Sequence, residues 1–177
     1  MQYLNRKMVR AQLKTGTGLA AIGIASLFAT PAHAGCTDND PVPGTTVTCT
    51  ADAPNPDQNG VGDGPGSTDV TLIVESGATV SNGNLGGRTT VSLGGGADIS
   101  TQAGSAIVGG IRIQGAGNTL SLNGTVDTVS ISGSNSIFAL EESGTITGGV
   151  TPSVLSFLGD DTVVQIDGGI PSTASSF

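Results

Sequence analysis

Three aspartates near the C-terminal end of the chain are the residues best suited to do chemistry. Asp160 and Asp161 stand side by side in "GDD" (159–161), and Asp167 follows one short apolar segment later. Paired carboxylates act as acid and base in glycoside hydrolysis, so these residues would serve a secreted carbohydrate-active β-helix enzyme. Aspartate beside glycine between two strand-like segments is also typical of a turn, and we prefer that interpretation.

The rest of the chain offers little support for catalysis. After residue 34 it has no lysine, histidine, tyrosine or tryptophan, and only Arg88 and Arg112 remain to steady an anionic substrate. The stretch "GGGAD" (94–98) is similar to a calcium-binding Gly-Gly-x-Gly-x-Asp repeat, but Ala97 stands where that pattern has glycine. The sequence therefore predicts no enzyme, and no catalytic, cofactor-binding or metal-binding residues.

The strongly acidic composition excludes two kinds of partner. Beyond the first 34 residues, the chain has two arginines against 14 aspartates and glutamates. Proteins that bind nucleic acid need clustered lysine and arginine to contact the phosphates, and adhesion to anionic lipid has a similar requirement. We therefore expect no nucleic-acid partner and no binding to a lipid surface.

Residues 1–34 have the features of a secretory signal peptide. Four basic residues precede the apolar run "GLAAIGIASLFA", and Ala32, His33 and Ala34 then form a small-x-small cleavage site. The apolar run is shorter than the roughly 20 residues of a membrane-spanning helix. We therefore expect export by Sec-type machinery, cleavage between Ala34 and Gly35, and no membrane span in the mature chain.

The two cysteines predict a disulfide near the start of the mature chain. An exported protein meets an oxidising compartment, where Cys36 and Cys49 are expected to pair. The alternative is a lipoprotein of unknown role, in which Cys36 carries a lipid. His33 stands where a lipoprotein signal usually has leucine, so we favour the disulfide.

Short apolar segments recur along the second part of the chain. Residues 35–67 are rich in proline, glycine and aspartate and predict an irregular lead-in or cap. Within residues 68–177, strand-like segments begin near Val70, Val91, Ile111, Val129 and Val154, at intervals of 21, 20, 18 and 25 residues. Helical spacing does not persist anywhere, so the fold class is all-β.

Repeats of this length predict a parallel β-helix of about five coils, because one coil cannot bury its own apolar face. The chain has few aromatic residues, and we expect a narrow interior without an aromatic core. An antiparallel β-sandwich is the alternative, because it also uses many short strands separated by regular turns.

The most regular unit is "GNTLSLNGTVDTVSISG" (117–133), which alternates apolar and small polar residues. Alternation predicts that one set of side chains points inward, namely Leu120, Leu122, Val126, Val129 and Ile131. Asn118, Asn123 and Gly124 are expected to form turns, and Asp127 is expected to point outward.

Four stretches carry a resemblance to a known family. They are the basic leader ending in "PAHA", "GNTLSLNGTV" (117–126), "GSNSIFALEESGTITG" (133–148) and "FLGDDTVVQIDGG" (157–169). Over about residues 1–34 and 68–169 the chain resembles bacterial autotransporter (type V secretion) passengers, which repeat pieces of the form Gly-Asn-x-Leu-x-Leu-x-Gly-x-Ile/Val. The resemblance implies a right-handed parallel β-helix that acts as an adhesin-like structural module.

The same resemblance implies a location and a kind of partner. The protein would lie at the cell surface or outer membrane, or outside the cell, after passing through the periplasm. Its partner would be a surface glycan or another host or cell-surface ligand. The family carries a C-terminal β-barrel translocator, and no such segment follows here, where the chain ends "IPSTASSF". We therefore expect a truncated passenger or a stand-alone secreted relative, whose last coil would leave an unpaired strand edge.

Overall fold

The computed structural model describes residues 35–52, 57–83, 89–148 and 155–170, which all lie in the unit His33–Phe177. These ranges contain strands and no helix. The strands are β1 (Thr46–Cys49), β2 (Thr71–Val74), β3 (Thr79–Ser81), β4 (Thr89–Leu93), β5 (Asp98–Thr101), β6 (Ala106–Gln114), β7 (Thr119–Leu122), β8 (Thr125–Ser132), β9 (Ile137–Leu140), β10 (Thr145–Ile146), β11 (Leu155–Phe157) and β12 (Val163–Ile166). The predicted signal peptide and Ala34 lie outside the described residues.

The strands form two parallel sheets. The first sheet has the order β1-β2-β5-β7-β9-β12, and the second has the order β10-β8-β6-β3, with β4 beside β6 and β11 beside β8. Every ladder between these strands is parallel. The all-β prediction is confirmed, and the antiparallel β-sandwich is wrong for these strands. Parallel pairing requires a long crossover between partners, which explains the wide spacing of the apolar segments.

The first sheet aligns mainly apolar side chains into two rows, which we call the inner rows. One contains Val47, Leu72, Ile99, Leu120, Phe138 and Val164, and the other contains Cys49, Val74, Thr101, Leu122, Leu140 and Ile166. All of these residues up to β9 are buried. Strands pair on both sides of β2, β5, β7 and β9, and the segment around Cys36 covers the free side of β1. In β12, by contrast, Val164 is 41% exposed and Ile166 is 38% exposed.

The second sheet is built around two long strands. The first part of β6 pairs with β3 and its last part pairs with β4, and the register shifts between Ile107 and Gly110. A side chain at Gly110 would meet Thr128 on β8, so glycine permits the close approach at this irregularity. The inward residues of β6 and β8 are buried and complete the core that the first sheet begins.

The expected inward residues of 117–133 are confirmed, because each of Leu120, Leu122, Val126, Val129 and Ile131 is buried. The turn at Asn123–Gly124 separates β7 from β8 as expected. The expectation of a core without aromatic residues is wrong. Phe138 is fully buried in an inner row, and its ring lies edge-on to that of Phe157 at a centroid distance of 5.4 Å.

Candidate functional surface

The three candidate catalytic aspartates lie around β12 and are exposed. Asp160 and Asp161 precede the strand and Asp167 follows it, so a strand of about 13 Å separates them. Catalytic carboxylate pairs in glycosidases stand only about 5 to 9.5 Å apart. Asp161 has a φ of 57°, and the carbonyl oxygen of Asp160 accepts a hydrogen bond from the backbone N–H of Asn135 at 3.0 Å. This geometry supports the turn interpretation of "GDD".

The residues that would assist these carboxylates are not gathered beside them. Arg112 is exposed on β6 in the second sheet, and Arg88 lies outside the described residues. In "GGGAD", Ala97 is buried and Gly96 has a φ of 73°, and a side chain there would meet that of Asp69. The glycine run therefore packs one turn against the next. Within the described ranges, no group of three or more His, Cys, Asp or Glu side chains is placed to hold a metal ion.

Cys36 and Cys49 form the predicted disulfide, with an S–S distance of 2.07 Å. The segment around Cys36 runs antiparallel to β1 along its outer edge. The backbone N–H of Thr37 donates to the carbonyl oxygen of Thr48 at 2.9 Å, and that of Thr50 donates to Gly35 at 3.1 Å. The disulfide thus fixes a short cap over the N-terminal edge of the first sheet. A sulfur bonded to another cysteine cannot carry a lipid, which favours the disulfide over the lipoprotein interpretation.

A buried carboxylate secures the same cap from the other side. Asp57 is 6% exposed and accepts hydrogen bonds from the backbone N–H of Cys36 at 2.9 Å and from that of Asn59 at 2.9 Å. The side-chain amide of Asn39 donates to it as well, at 3.1 Å. Three donors satisfy a carboxylate that would otherwise be costly to bury. Nothing in "PDQNG" (56–60) predicts this role, because these residue types are typical of any turn.

Removing the disulfide is expected to weaken the fold. Because the bridge joins residues 13 positions apart, its loss in a Cys36→Ser, Cys49→Ser double variant should lower the free energy of unfolding by about 3 kcal/mol. Urea denaturation monitored by circular dichroism measures this change. Reductant should destabilise the wild type similarly and leave the double variant unchanged. An unchanged unfolding midpoint in the double variant would contradict the structural role of the cap.

A polar network lies inside the turns between the two sheets, centred on Asn118, which is buried. Its side-chain oxygen accepts a hydrogen bond from the backbone N–H of Ala97 at 3.1 Å, and its amide donates to the carbonyl oxygen of Gly115 at 2.5 Å. The amide also donates to the hydroxyl of Ser136 at 3.2 Å. That hydroxyl in turn donates to the carbonyl oxygen of Gly133 at 3.3 Å. Asn118 therefore joins three successive turns.

Asp127 is half-buried, so the expected outward orientation is correct only in part. Its carboxylate accepts hydrogen bonds from the backbone N–H of Gly109 at 2.8 Å and from the hydroxyl of Thr147 at 2.6 Å. Gly109 belongs to β6 and Thr147 directly follows β10, so the two partners lie on either side of β8. The side chain therefore bridges the outer surface of the second sheet, at the end where β10 pairs with β8.

The outer surface of the first sheet is polar over most of its length and becomes apolar at one end. One outer row contains Thr46, Thr71, Asp98, Thr119, Ile137 and Val163. Ile137 is 50% exposed and Val163 is 61% exposed. The surface thus offers two different regions for contact with a partner, a polar outer face and an apolar end at β9 and β12.

No helix in the described ranges is long and apolar enough to cross a membrane. A comparison of the chain with protein families, with curated proteins and with solved structures finds no match to any of them.

Proposed function

We propose that the protein is an exported, adhesin-like structural module, displayed on the cell surface or secreted, whose fold is a right-handed parallel β-helix. From β4 to β10, successive strands of the chain alternate between the two sheets, and each strand after β4 pairs with the preceding strand of its own sheet. Crossovers between parallel strands of one sheet are right-handed in nearly all proteins, which supports this handedness. A stack of coils accounts for the unbroken inner rows.

The observation that carries this proposal is the contrast between the buried inner rows and the largely polar outer surface of the first sheet. The inner rows are buried from β1 to β9. The outer positions of β5 and β7 are threonine, serine and aspartate, and those of β2 are Thr71 and Ile73. A stacked scaffold of this kind holds many polar groups in fixed positions. Such a surface suits weak contacts that become effective when many copies are displayed together.

Export is supported by features at the beginning of the chain. The leader up to Ala34 has the composition of a signal peptide, and the mature part begins with a disulfide, a bond that persists in oxidising compartments. High negative charge favours solubility outside the cell. The resemblance to autotransporter passengers leads to the same proposal, in which the partner is a surface glycan or another cell-surface ligand.

An antibody raised against the protein is expected to label intact cells of the bacterium that produces it, or to detect the protein in the medium. Immunofluorescence before and after permeabilisation of the outer membrane measures this. A periplasmic marker protein serves as the control, because it should be labelled only after permeabilisation. A protein that is labelled only together with that marker, and is missing from the medium, would overturn display and secretion.

A further inference from the structure

The first sheet ends at β12 with an edge that no described strand covers. The backbone N–H groups of Val163 and Asp167 donate to the carbonyl oxygens of Ser136 and Leu140, at 2.9 and 2.8 Å. Because backbone groups alternate in direction along a strand, Val164 and Ile166 direct theirs to the opposite side. We call this unpaired side of Val163–Ile166 the C-terminal edge.

The C-terminal edge also exposes apolar side chains that continue the inner rows. Val164 is in register with Phe138, and Ile166 is in register with Leu140. Both partners are completely buried, yet Val164 and Ile166 are 41% and 38% exposed, because nothing described lies over them. An incoming strand would therefore gain backbone hydrogen bonds and apolar contacts together.

The opposite end of the sheet does not offer such an edge. Residues around Cys36 cover the outer side of β1, and the disulfide to Cys49 holds them there. Strand addition is therefore confined to one end of the first sheet.

Acidic residues lie at both ends of the C-terminal edge. Asp160 and Asp161 precede β12, Asp167 follows it, and Glu141 and Glu142 follow β9 directly beside Asp167. The three aspartates and Glu142 are exposed. Among the described residues the one cationic side chain is Arg112, on the second sheet. The electrostatic potential around the C-terminal edge is therefore negative.

We propose that the C-terminal edge binds an extended cationic segment of another protein, which adds as a further strand to the first sheet. In this segment, β-branched apolar residues alternate with polar residues, and the apolar ones cover Val164 and Ile166. The segment carries lysine or arginine at both ends. Acidic residues at both ends of β12 suit such a segment in either direction. The proposal concerns a different region from the polar outer face and holds whether or not the protein is displayed.

A second copy of the chain fits this edge less well. Two copies joined through β12 would bring both sets of flanking carboxylates together around one short ladder, and like charges oppose such pairing. A second copy also cannot stack on the N-terminal end, because the cap covers β1. The distribution of charge therefore selects a basic partner.

The test uses the purified protein and a labelled probe peptide in which valine and threonine alternate between two pairs of lysines. Fluorescence anisotropy measures its binding at low and at physiological salt. Two control peptides replace the lysines by glutamates or one central valine by proline, which removes a backbone donor. We expect the probe to bind, binding to weaken as salt increases, and neither control peptide to bind measurably.

Protein variants locate the site. A triple variant that combines Asp160→Asn, Asp161→Asn and Asp167→Asn should bind the probe about tenfold more weakly, since each exposed charge contributes modestly. The matched control neutralises three exposed aspartates at the capped end, by Asp38→Asn, Asp40→Asn and Asp52→Asn, and should leave binding nearly unchanged. It alters the net charge equally.

A backbone variant tests strand addition directly. Val164→Pro removes a donor on the unpaired side and leaves the ladder to β9 intact, so it should abolish probe binding. Circular dichroism and thermal melting show whether Val164→Pro folds. If it does not fold, the test of the proposal rests on the two aspartate triple variants. Equal weakening by the two aspartate triples, or binding of the glutamate peptide, would overturn the proposal. So would a dimer in sedimentation that Val164→Pro converts to a monomer, because the occupant would then be a second copy.

Discussion

Replacing Phe138 with alanine is expected to lower the free energy of unfolding by about 3 to 5 kcal/mol. Phe138 is fully buried in the inner row between Leu120 and Val164, and its ring contacts that of Phe157. Neighbouring strands are fixed by backbone ladders on both sides, so the core has little freedom to close over the cavity. Urea denaturation monitored by circular dichroism measures the loss.

Ile137 supplies the matched control for this prediction. It precedes Phe138 in β9 but points outward and is 50% exposed. Ile137→Ala should lower the free energy of unfolding by less than about 1 kcal/mol. Alanine has a lower β-strand propensity than isoleucine, and the side chain that is removed is already half exposed to solvent. Equal losses for the two variants would contradict the assignment of Phe138 to the core. A loss below about 1 kcal/mol for Phe138→Ala would contradict it as well.

Alternation of apolar and polar residues made the inner rows predictable. In 117–133 a period of two pairs Leu120 with Leu122 and Val129 with Ile131, and all five inward residues are buried. The step of three from Val126 to Val129 lies opposite the register shift in β6. The same pattern could not decide between the parallel and antiparallel arrangements, since both bury alternate residues. Pairing depends on which segments meet across long separations, and one sequence does not contain that information.

Segments with weak alternation were missed or misjudged. The series of strand starts contains no member at Ile137–Leu140, although β9 occupies the centre of the C-terminal half of the first sheet. Its outward residues Ile137 and Ala139 are apolar, so the pattern that identifies a half-buried strand is blurred. The burial of Phe138 was missed for the same reason.

Polar residues in turns were the least predictable part of the candidate surface. Asn118, Asn123 and Asp57 all stand in sequences typical of turns, yet only Asn118 and Asp57 are buried and hydrogen-bonded across the fold. Their partners, such as Ala97 and Cys36, are about 20 residues away, so local composition does not reveal them. The aspartates of "GDD" illustrate the opposite case, because their exposed position agrees with a local turn.

The two ends of the first sheet differ in a way that bears on function. A disulfide-linked segment covers β1, whereas β12 exposes both backbone groups and the apolar side chains that continue the inner rows. Proteins usually protect sheet edges with charges, and the aspartates around β12 have this effect against another acidic chain. The same charges attract a basic one. Protection from self-association and selection of a cationic partner therefore have a common physical cause.

Replacing Asn118 with alanine is expected to lower the free energy of unfolding by about 3 kcal/mol. The change removes the partner of the buried backbone N–H of Ala97 and of the partly buried carbonyl oxygen of Gly115, and an unpaired buried group costs about 1 to 3 kcal/mol. Asn123→Ala is the matched control. Its side chain is half-buried in the next turn and makes no comparable set of hydrogen bonds among the described residues, so the loss should stay within about 0.5 kcal/mol.

Ser136 shows whether the network acts as a unit. Its hydroxyl accepts from Asn118 and donates to the carbonyl oxygen of Gly133, so Ser136→Ala breaks the network one turn further along. The double variant with Asn118→Ala should lose less stability than the two single changes combined, with a coupling of at least about 0.5 kcal/mol, because both single variants break the same hydrogen bond. Urea denaturation of the wild type, the two single variants and the double variant measures this coupling. Strict additivity would mean that the hydrogen bond between Asn118 and Ser136 adds no stability, and the network would then not extend from the turn of Asn118 to that of Ser136.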